Sequence, residues 1–221
     1  MDVRSRWATN EPLFKRVIDL ESGLTEYSGV QGFLMDKDIE FLQYFVQRLP
    51  ARATIFEIGS YMGLSTLVMA RTLFLTGNLT ARIFAIDTFE GSVEHQGTEV
   101  IEKGRLSDIF QANIESSGLR GLIETVRMDS VAASVRFPDG KADMLFIDGD
   151  HTGEGCYRDL LAWGPKLKTG GIFLGHDFCQ GGVTWAVVEY IRNKDLCITL
   201  LGAPPDSGFM YQIHSRSEFL R

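Results

Sequence analysis

Short apolar runs alternate with longer amphipathic stretches along most of this chain. The runs ATIFEIG (53–59), ARIFAID (81–87), LIETVRMD (122–129), ADMLFID (142–148) and GGIFLGHD (170–177) predict strands. Several are nearly continuous in Ile, Phe, Leu and Val, the pattern of strands covered on both faces of a mainly parallel sheet. Between them, residues 63–76, 105–117, 154–167 and 183–194 predict helices. The first of these stops before Gly77-Asn78, and the third runs into Lys166, Lys168 and a glycine pair. Residues 36–50 form an amphipathic helix leading into the first strand, while LCITLLG and GFMYQIH predict a closing strand pair around the turn-rich APPDS. This order predicts an α/β fold: a doubly wound, mostly parallel seven-stranded sheet with an antiparallel edge strand, one domain over residues 36–221. Residues 1–35 have aromatic and Gly punctuation without clear periodicity, and stand apart as an N-terminal arm or lid.

A length of 221 residues and 44% hydrophobic content suit one large domain with a sizeable core. The formal net charge of −7 and the scattered basic residues argue against a nucleic-acid partner. Three cysteines, Cys156, Cys179 and Cys197, are widely spaced and form no C-x-x-C pair. They point to reduced thiols rather than a disulfide framework or thiolate zinc site. The first residues lack the apolar core of a secretory signal, and no run approaches the roughly 20 apolar residues of a membrane span. A soluble cytoplasmic protein without a membrane partner is therefore expected.

The first strand ends in FEIGSYMGLS. Gly59 permits a tight turn close to a ligand, and Gly63 lets the next helix approach the sheet. A dinucleotide fingerprint needs a second close glycine where this chain has Tyr61. Glu57 would repel phosphate and welcome an amine. Asp87 ends the second strand, where an acid is placed to accept both hydroxyls of a ribose. At the end of the third strand, Asp129 and Ser130 either meet an adenine amino group or cap the helix starting at Val131.

These strings resemble the class I S-adenosylmethionine-dependent methyltransferases. FEIGSYMGLST resembles their first motif and AIDTFEG their second. LFIDGDHTGEGCYRDLLAWGPKLKTGGIFLGHD is similar to their fourth and fifth strands with the helix between. That last string is most similar to bacterial small-molecule O-methyltransferases that include macrolide-sugar and cephalosporin-type antibiotic enzymes. Catechol O-methyltransferase is a more distant likeness. The resemblance spans residues 36–214. It implies that Glu57, Gly59, Ser60 and Gly63 border the methionine part of the cofactor, that Asp87 with Thr88 takes the ribose, and that Asp129 with Ser130 lies near the adenine.

Asp148 and Asp177 end the fourth and fifth strands, which in this architecture are neighbours roughly 4.8 Å apart. Two such carboxylates repel unless one is protonated or a cation lies between them, and Mg²⁺ suits an oxygen site with open positions. In the resembling enzymes the corresponding acids bind such a metal, and the substrate's hydroxyls complete its shell. His151 is the candidate base, since imidazole titrates near neutrality and the His of DGDH is expected in that role in the macrolide-sugar branch. Duller roles stand beside these. Asp148 would cap a loop, Asp150 would form a turn, and His151 would cap the following helix. His176 departs from the acid-amide pair of catechol O-methyltransferase, so the set of metal ligands, Asp148, Asp177 and His176, stays open at its third member. Glu90 is a further candidate ligand, and residues 90–104 form a long loop suited to covering a substrate. Tyr61 and Phe89 are candidate pocket walls, Trp163 and Trp185 packing residues, and His95 and His214 surface or packing residues.

The expected activity is methyl transfer to a hydroxyl of a small natural product or sugar, helped by a divalent metal. The rivals are a metal-independent methyltransferase with His151 as base, a non-catalytic S-adenosylmethionine-binding relative and, last, an NAD-dependent dehydrogenase. An arm-like N-terminus makes a homodimer reasonable.

Overall fold

The computed structural model describes residues 29–92, 99–192, 194–202 and 208–219, together with short strand segments at 17–18 and 25–27. Three short strands, β1 (Val17–Ile18), β2 (Thr25–Tyr27) and β3 (Val30–Gly32), pair antiparallel in a small sheet of their own. Helix α1 (Asp36–Val46) follows, then β4 (Thr54–Ile58), α2 (Leu64–Leu75) and β5 (Arg82–Asp87). After α3 (Glu99–Glu102) and α4 (Leu106–Ser117) come β6 (Ile123–Arg127), the short α5 (Ser130–Ser134) and β7 (Ala142–Ile147). The chain continues through α6 (Gly153–Trp163), β8 (Leu167–Gly175), α7 (Gly181–Ile191), β9 (Leu196–Leu201), β10 (Met210–Ser215) and α8 (Arg216–Phe219).

Strands β4 to β10 form one sheet in the order β6-β5-β4-β7-β8-β10-β9. The first five are parallel, and β10 runs antiparallel to both β8 and β9. The expected doubly wound, seven-stranded sheet is thus observed, with β10 placed between β8 and β9. Every residue of β4 and β7 is buried, which is why their sequences read as unbroken apolar runs. Successive side chains point to opposite faces. Ile55, Met144 and Phe146 pack with Leu42, Val68 and Leu73 on one side, while Phe56, Leu145 and Ile147 pack with Leu160, Trp163 and Val187 on the other. Each fully buried large side chain stabilises the fold by about 1.5–3 kcal/mol. Strand order reverses between β4 and β7, so the crevice above their carboxyl ends is where such a sheet offers a ligand site.

Several boundaries differ from the sequence reading: the helix expected over 36–50 ends at Val46, and that expected over 183–194 spans Gly181–Ile191. Helix α6 stops at Trp163, short of the expected residue 167, because Pro165 has no N–H to continue the helix. Strand β8 then starts at Leu167. At the N-terminal side, Val30 and Leu34 are buried in the core beside Ile39, and Gly32 lies so close to Leu64 that a Cβ would stand 2.8 Å from its side chain. The last residues of the segment set apart in the sequence are therefore packed onto the sheet domain. Cys156, Cys179 and Cys197 are free. Among the described residues, no helix is long and apolar enough to cross a membrane.

Candidate active site

The turn after β4 is built on Gly59 at φ +85°, a left-handed conformation that disfavours a side chain. A Cβ there would stand 2.5 Å from the Asp148 carbonyl carbon and 2.7 Å from Gly149 Cα. Glycine thus lets β4 and β7 end against each other, and the Asp148 N–H donates to Ile58 O at 2.8 Å. Gly63, at φ +92°, is the N-cap of α2, and a Cβ on it would meet the Phe110 ring at 3.1 Å. Between them Tyr61 holds φ +48°, a costly conformation for a bulky residue, and its ring centroid lies 5.4 Å from that of Phe33.

Two acids secure this turn. Asp87 Oδ2 accepts the backbone N–H groups of Ser60 at 2.8 Å and Tyr61 at 2.9 Å, and Oδ1 accepts that of Phe89 at 2.7 Å. Glu57 lies behind the turn, fully buried, and accepts the hydroxyls of Ser60 (2.7 Å), Ser65 (2.5 Å) and Thr66. Burial raises its pKa to about 7 against the pull of those three hydroxyls, with Asp148 adding to the rise. Ser60 and Ser65 face a cavity; Glu57 acts behind them as their anchor.

Two cavities flank the turn and share Gly59, Tyr61, Asp148 and Gly149. One, of about 340 Å³, is walled by Asp87, Thr88, Asp129, Ser130 and Asp159. The other, of about 410 Å³, is walled by Gln31, Phe33, Ser60, His151, Asp177 and Gln180 among others. Asp129 does cap a helix, since its Oδ1 accepts the Ala132 N–H at 2.8 Å, and it faces the smaller cavity as well. The Ser130 hydroxyl donates to Asp159, a buried acid on the inner side of α6 that the sequence reading passed over. Burial lifts Asp159 to about 6, with Ser130 opposing and Asp150 and Asp129 reinforcing. Its signal was a carboxylate on the apolar side of an amphipathic helix.

Asp148 follows β7 and Asp177 follows β8, and these strands are paired through Ile147 and Gly175. One ligand atom from each of Asp148, His151 and Asp177 lies within 4.8 Å of the others. His151 Nε2 is 3.2 Å from Asp177 Oδ2 and 3.8 Å from Asp148 Oδ1, and the Gln180 amide nitrogen lies 3.1 Å from its Nδ1. His176 is buried: Nδ1 is 3.1 Å from Asp177 Oδ2 and 3.5 Å from Asp148 Oδ1, while Nε2 is 3.2 Å from Asp38 Oδ2. Burial alone would depress the His176 pKa, but Asp148, Asp177 and Asp38 outweigh it and hold the imidazole well above its usual range. For Asp177 the balance also runs against burial, and the two imidazoles hold its carboxyl below the usual value. Asp38 was not singled out from the sequence, where it looks like an ordinary acid in the first turn of a helix.

The remaining candidates fall elsewhere. Thr152, not His151, caps α6 by accepting the Gly155 N–H at 3.1 Å, and Asp150 forms the turn before it by accepting the Thr152 N–H at 2.7 Å. Glu90 is exposed and outside the acid–imidazole cluster. Phe89 is buried 4.9 Å from the Phe110 ring and walls neither cavity. Trp163 is fully buried in the core, and Trp185 is half-exposed against Tyr157. His214 contacts Thr199 at 2.8 Å on the β9–β10 edge. His95 lies outside the described residues.

A family model for a methyltransferase domain matches residues 56–178, the stretch from β4 to just beyond Asp177. Solved structures share the fold. The O-methyltransferase NovP superposes with a TM-score of 0.60 at 17% identity, covering 81% of this chain and 80% of that one. An S-adenosylmethionine-dependent O-methyltransferase from Thermotoga maritima gives 0.56 at 16% identity, covering 80% and 64%. CalS11, a TDP-rhamnose 3′-O-methyltransferase of calicheamicin biosynthesis, gives 0.54 at 19% identity, covering 81% of each. At these identities the likeness establishes the architecture, and the chemistry rests on the residues above.

Proposed function

The chain belongs to the methyltransferase-domain family, and we propose that it uses S-adenosylmethionine to methylate a hydroxyl of a small natural product or sugar, with the help of a divalent metal. The observation that carries this reading is the junction of the two cavities at Gly59 and Gly149, with the acid–imidazole cluster opening into the larger one. The smaller cavity suits the nucleoside. Asp87 keeps one acceptor site, on Oδ1, for a ribose hydroxyl while it holds the turn, and Asp129 with Ser130 offers acceptors to an adenine amine. Gly59 and Ser60 border the passage to the methionine end, while Gly63 packs under Phe110 and walls neither cavity. The carboxylates of Asp148 and Asp177 favour the cationic sulfonium electrostatically.

The larger cavity takes the acceptor. An in-line transfer forms a bond from the acceptor oxygen to the methyl carbon and breaks the sulfur–methyl bond, leaving the electron pair on sulfur as neutral S-adenosylhomocysteine. The acceptor's proton passes to His151, whose imidazolium form is stabilised by Asp177 at 3.2 Å and oriented by Gln180. Much of the rate comes from positioning, since the sulfonium is already a good electrophile. The donor set of Asp148, Asp177 and His176 would suit a dication, which would take over from the imidazole proton the neutralisation of the two clustered carboxylates. Such an ion, when bound, would supply Lewis acidity that eases loss of the acceptor proton.

The test is S-adenosylhomocysteine release with a panel of small hydroxyl compounds, before and after EDTA. Asp148→Ala and Asp177→Ala should abolish turnover and leave S-adenosylhomocysteine affinity within a few-fold; normal turnover in both variants would end the metal reading. A second reading, metal-independent transfer with His151 as sole base, is favoured by the His176 imidazole lying among three carboxylates as a built-in cation. Turnover insensitive to EDTA would select it.

A further inference from the structure

Mg²⁺ prefers oxygen at its ligand positions and keeps several of its waters. The acids after β7 and β8 meet that preference, but the atoms lying beside both are imidazole nitrogens, Nε2 of His151, read above as the base, and Nδ1 of His176. His176 Nδ1 is 3.1 Å from Asp177 Oδ2 and 3.5 Å from Asp148 Oδ1. The ring is held so that this nitrogen stays forward. Its Nε2 lies 3.2 Å from Asp38 Oδ2, at ion-pair distance without hydrogen-bond geometry, and Asp38 is fully buried and fixed by the backbone N–H groups of Gly208 at 2.9 Å and Met35 at 2.8 Å. Gly208 closes over the far side of the ring, so tightly that a Cβ there would collide with His176 Cε1 and Nε2. In metal-binding histidines a carboxylate on one ring nitrogen sets the tautomer and orientation, and Asp38 is the carboxylate placed to take that role here, with Nδ1 already against the Asp177 carboxylate.

We propose that the site takes a first-row transition dication of the Mn²⁺, Co²⁺ or Zn²⁺ class, held by Asp148, Asp177 and Nδ1 of His176, with Asp38 as the residue that positions this nitrogen. The inference rests on the divalent-metal reading above and replaces Mg²⁺ as the ion expected from two carboxylates. The donor chemistry decides it. Imidazole suits first-row ions, whose affinity rises from Mn²⁺ to Co²⁺, whereas Mg²⁺ is served by carboxylate, carbonyl and water. Asp38 joins the site from α1, so the element ahead of the methyltransferase motifs reaches the reaction centre through one ring.

The test is titration of the EDTA-treated full chain with Co²⁺, Mn²⁺ and Mg²⁺ by calorimetry, with and without S-adenosylhomocysteine, while Co²⁺ absorption in the visible reports nitrogen ligation. Co²⁺ should bind more tightly than Mn²⁺, and Mn²⁺ more tightly than Mg²⁺. Asp38→Asn should weaken Co²⁺ binding by about 10–100-fold and alter its absorption band, with S-adenosylhomocysteine affinity unchanged. His176→Asp exchanges nitrogen for oxygen and should narrow the preference for Co²⁺ over Mg²⁺. This variant also supplies the answer if thermal melting finds Asp38→Asn unfolded. Equal Co²⁺ and Mg²⁺ affinity in the wild type, or an unaltered Co²⁺ preference in His176→Asp, overturns the nitrogen assignment and leaves the methyltransferase reading intact. A chain that binds S-adenosylhomocysteine but no dication overturns both the ion and its identity. A chain that binds Co²⁺ as described but no S-adenosylhomocysteine counts against the cofactor reading alone.

Discussion

Replacing Glu57 by Gln removes a charge from the fully buried position beneath the glycine turn, and the consequence for stability follows from its surroundings. Ser60, Ser65 and Thr66 all donate hydroxyls to this carboxyl, yet burial still carries its pKa from 4.5 to about 7. A carboxyl whose folded pKa lies above its unfolded one binds its proton more tightly in the native state. Its contribution to stability is therefore complete below about 4.5 and is lost as pH rises through about 7. The difference corresponds to about 3 kcal/mol, taking about 1.4 kcal/mol for each tenfold change in proton affinity. Glutamine cannot titrate. Urea unfolding of both proteins from about pH 5 to about pH 8, with EDTA present, should thus show the wild type losing up to about 3 kcal/mol relative to Glu57→Gln across that range. Other titratable groups are common to both proteins and largely cancel in the comparison. The amide brings a new donor to three hydroxyls, so a constant offset between the curves is expected and carries no weight. Parallel curves over the whole range would refute the reasoning, because they would mean that Glu57 is not held against its charge.

Three further outcomes follow from the same geometry. Gly59→Ala places a side chain at φ +85° against the Asp148 carbonyl, so thermal and urea unfolding should show a loss above about 2 kcal/mol, together with lost S-adenosylhomocysteine binding. Asp87→Ala strips three backbone N–H groups of their acceptor and should weaken S-adenosylhomocysteine binding at least about tenfold by calorimetry. Phe33 walls the larger cavity but not the smaller, so Phe33→Ala should raise the acceptor KM by about 2–10-fold and leave S-adenosylhomocysteine affinity unchanged.

The parts legible in the sequence are those whose cause is local or periodic. Strands β4 and β7 are buried on both faces, and their unbroken apolar runs say so directly. Asp148 and Asp177 stood out because each ends such a run, and adjacency of the two strands then brings them together. Gly59 was legible because a tight turn after the first long strand needs it. The opaque parts depend on contacts between distant segments. Asp38 reads as a helix-start acid until folding sets it against His176, and Asp159 reads as one charge among several on α6 until Ser130 meets it. The packing of Val30, Leu34 and Gly32 follows from the shape of the core, which no periodicity over so few residues announces. Phe89 looked like a rim aromatic and is buried instead, because Phe110 and Leu106 of α4 cover it. Insertion of β10 between β8 and β9 is likewise a matter of pairing order, which strand composition alone does not encode.

The most direct measurement is a crystal structure of the full chain with S-adenosylhomocysteine. The nucleoside is expected in the cavity walled by Asp87, Thr88 and Ser130, with the sulfur passing Gly59 to face the carboxylates of Asp148 and Asp177. A nucleoside bound elsewhere, or a sulfur turned away from those two acids, would contradict that placement.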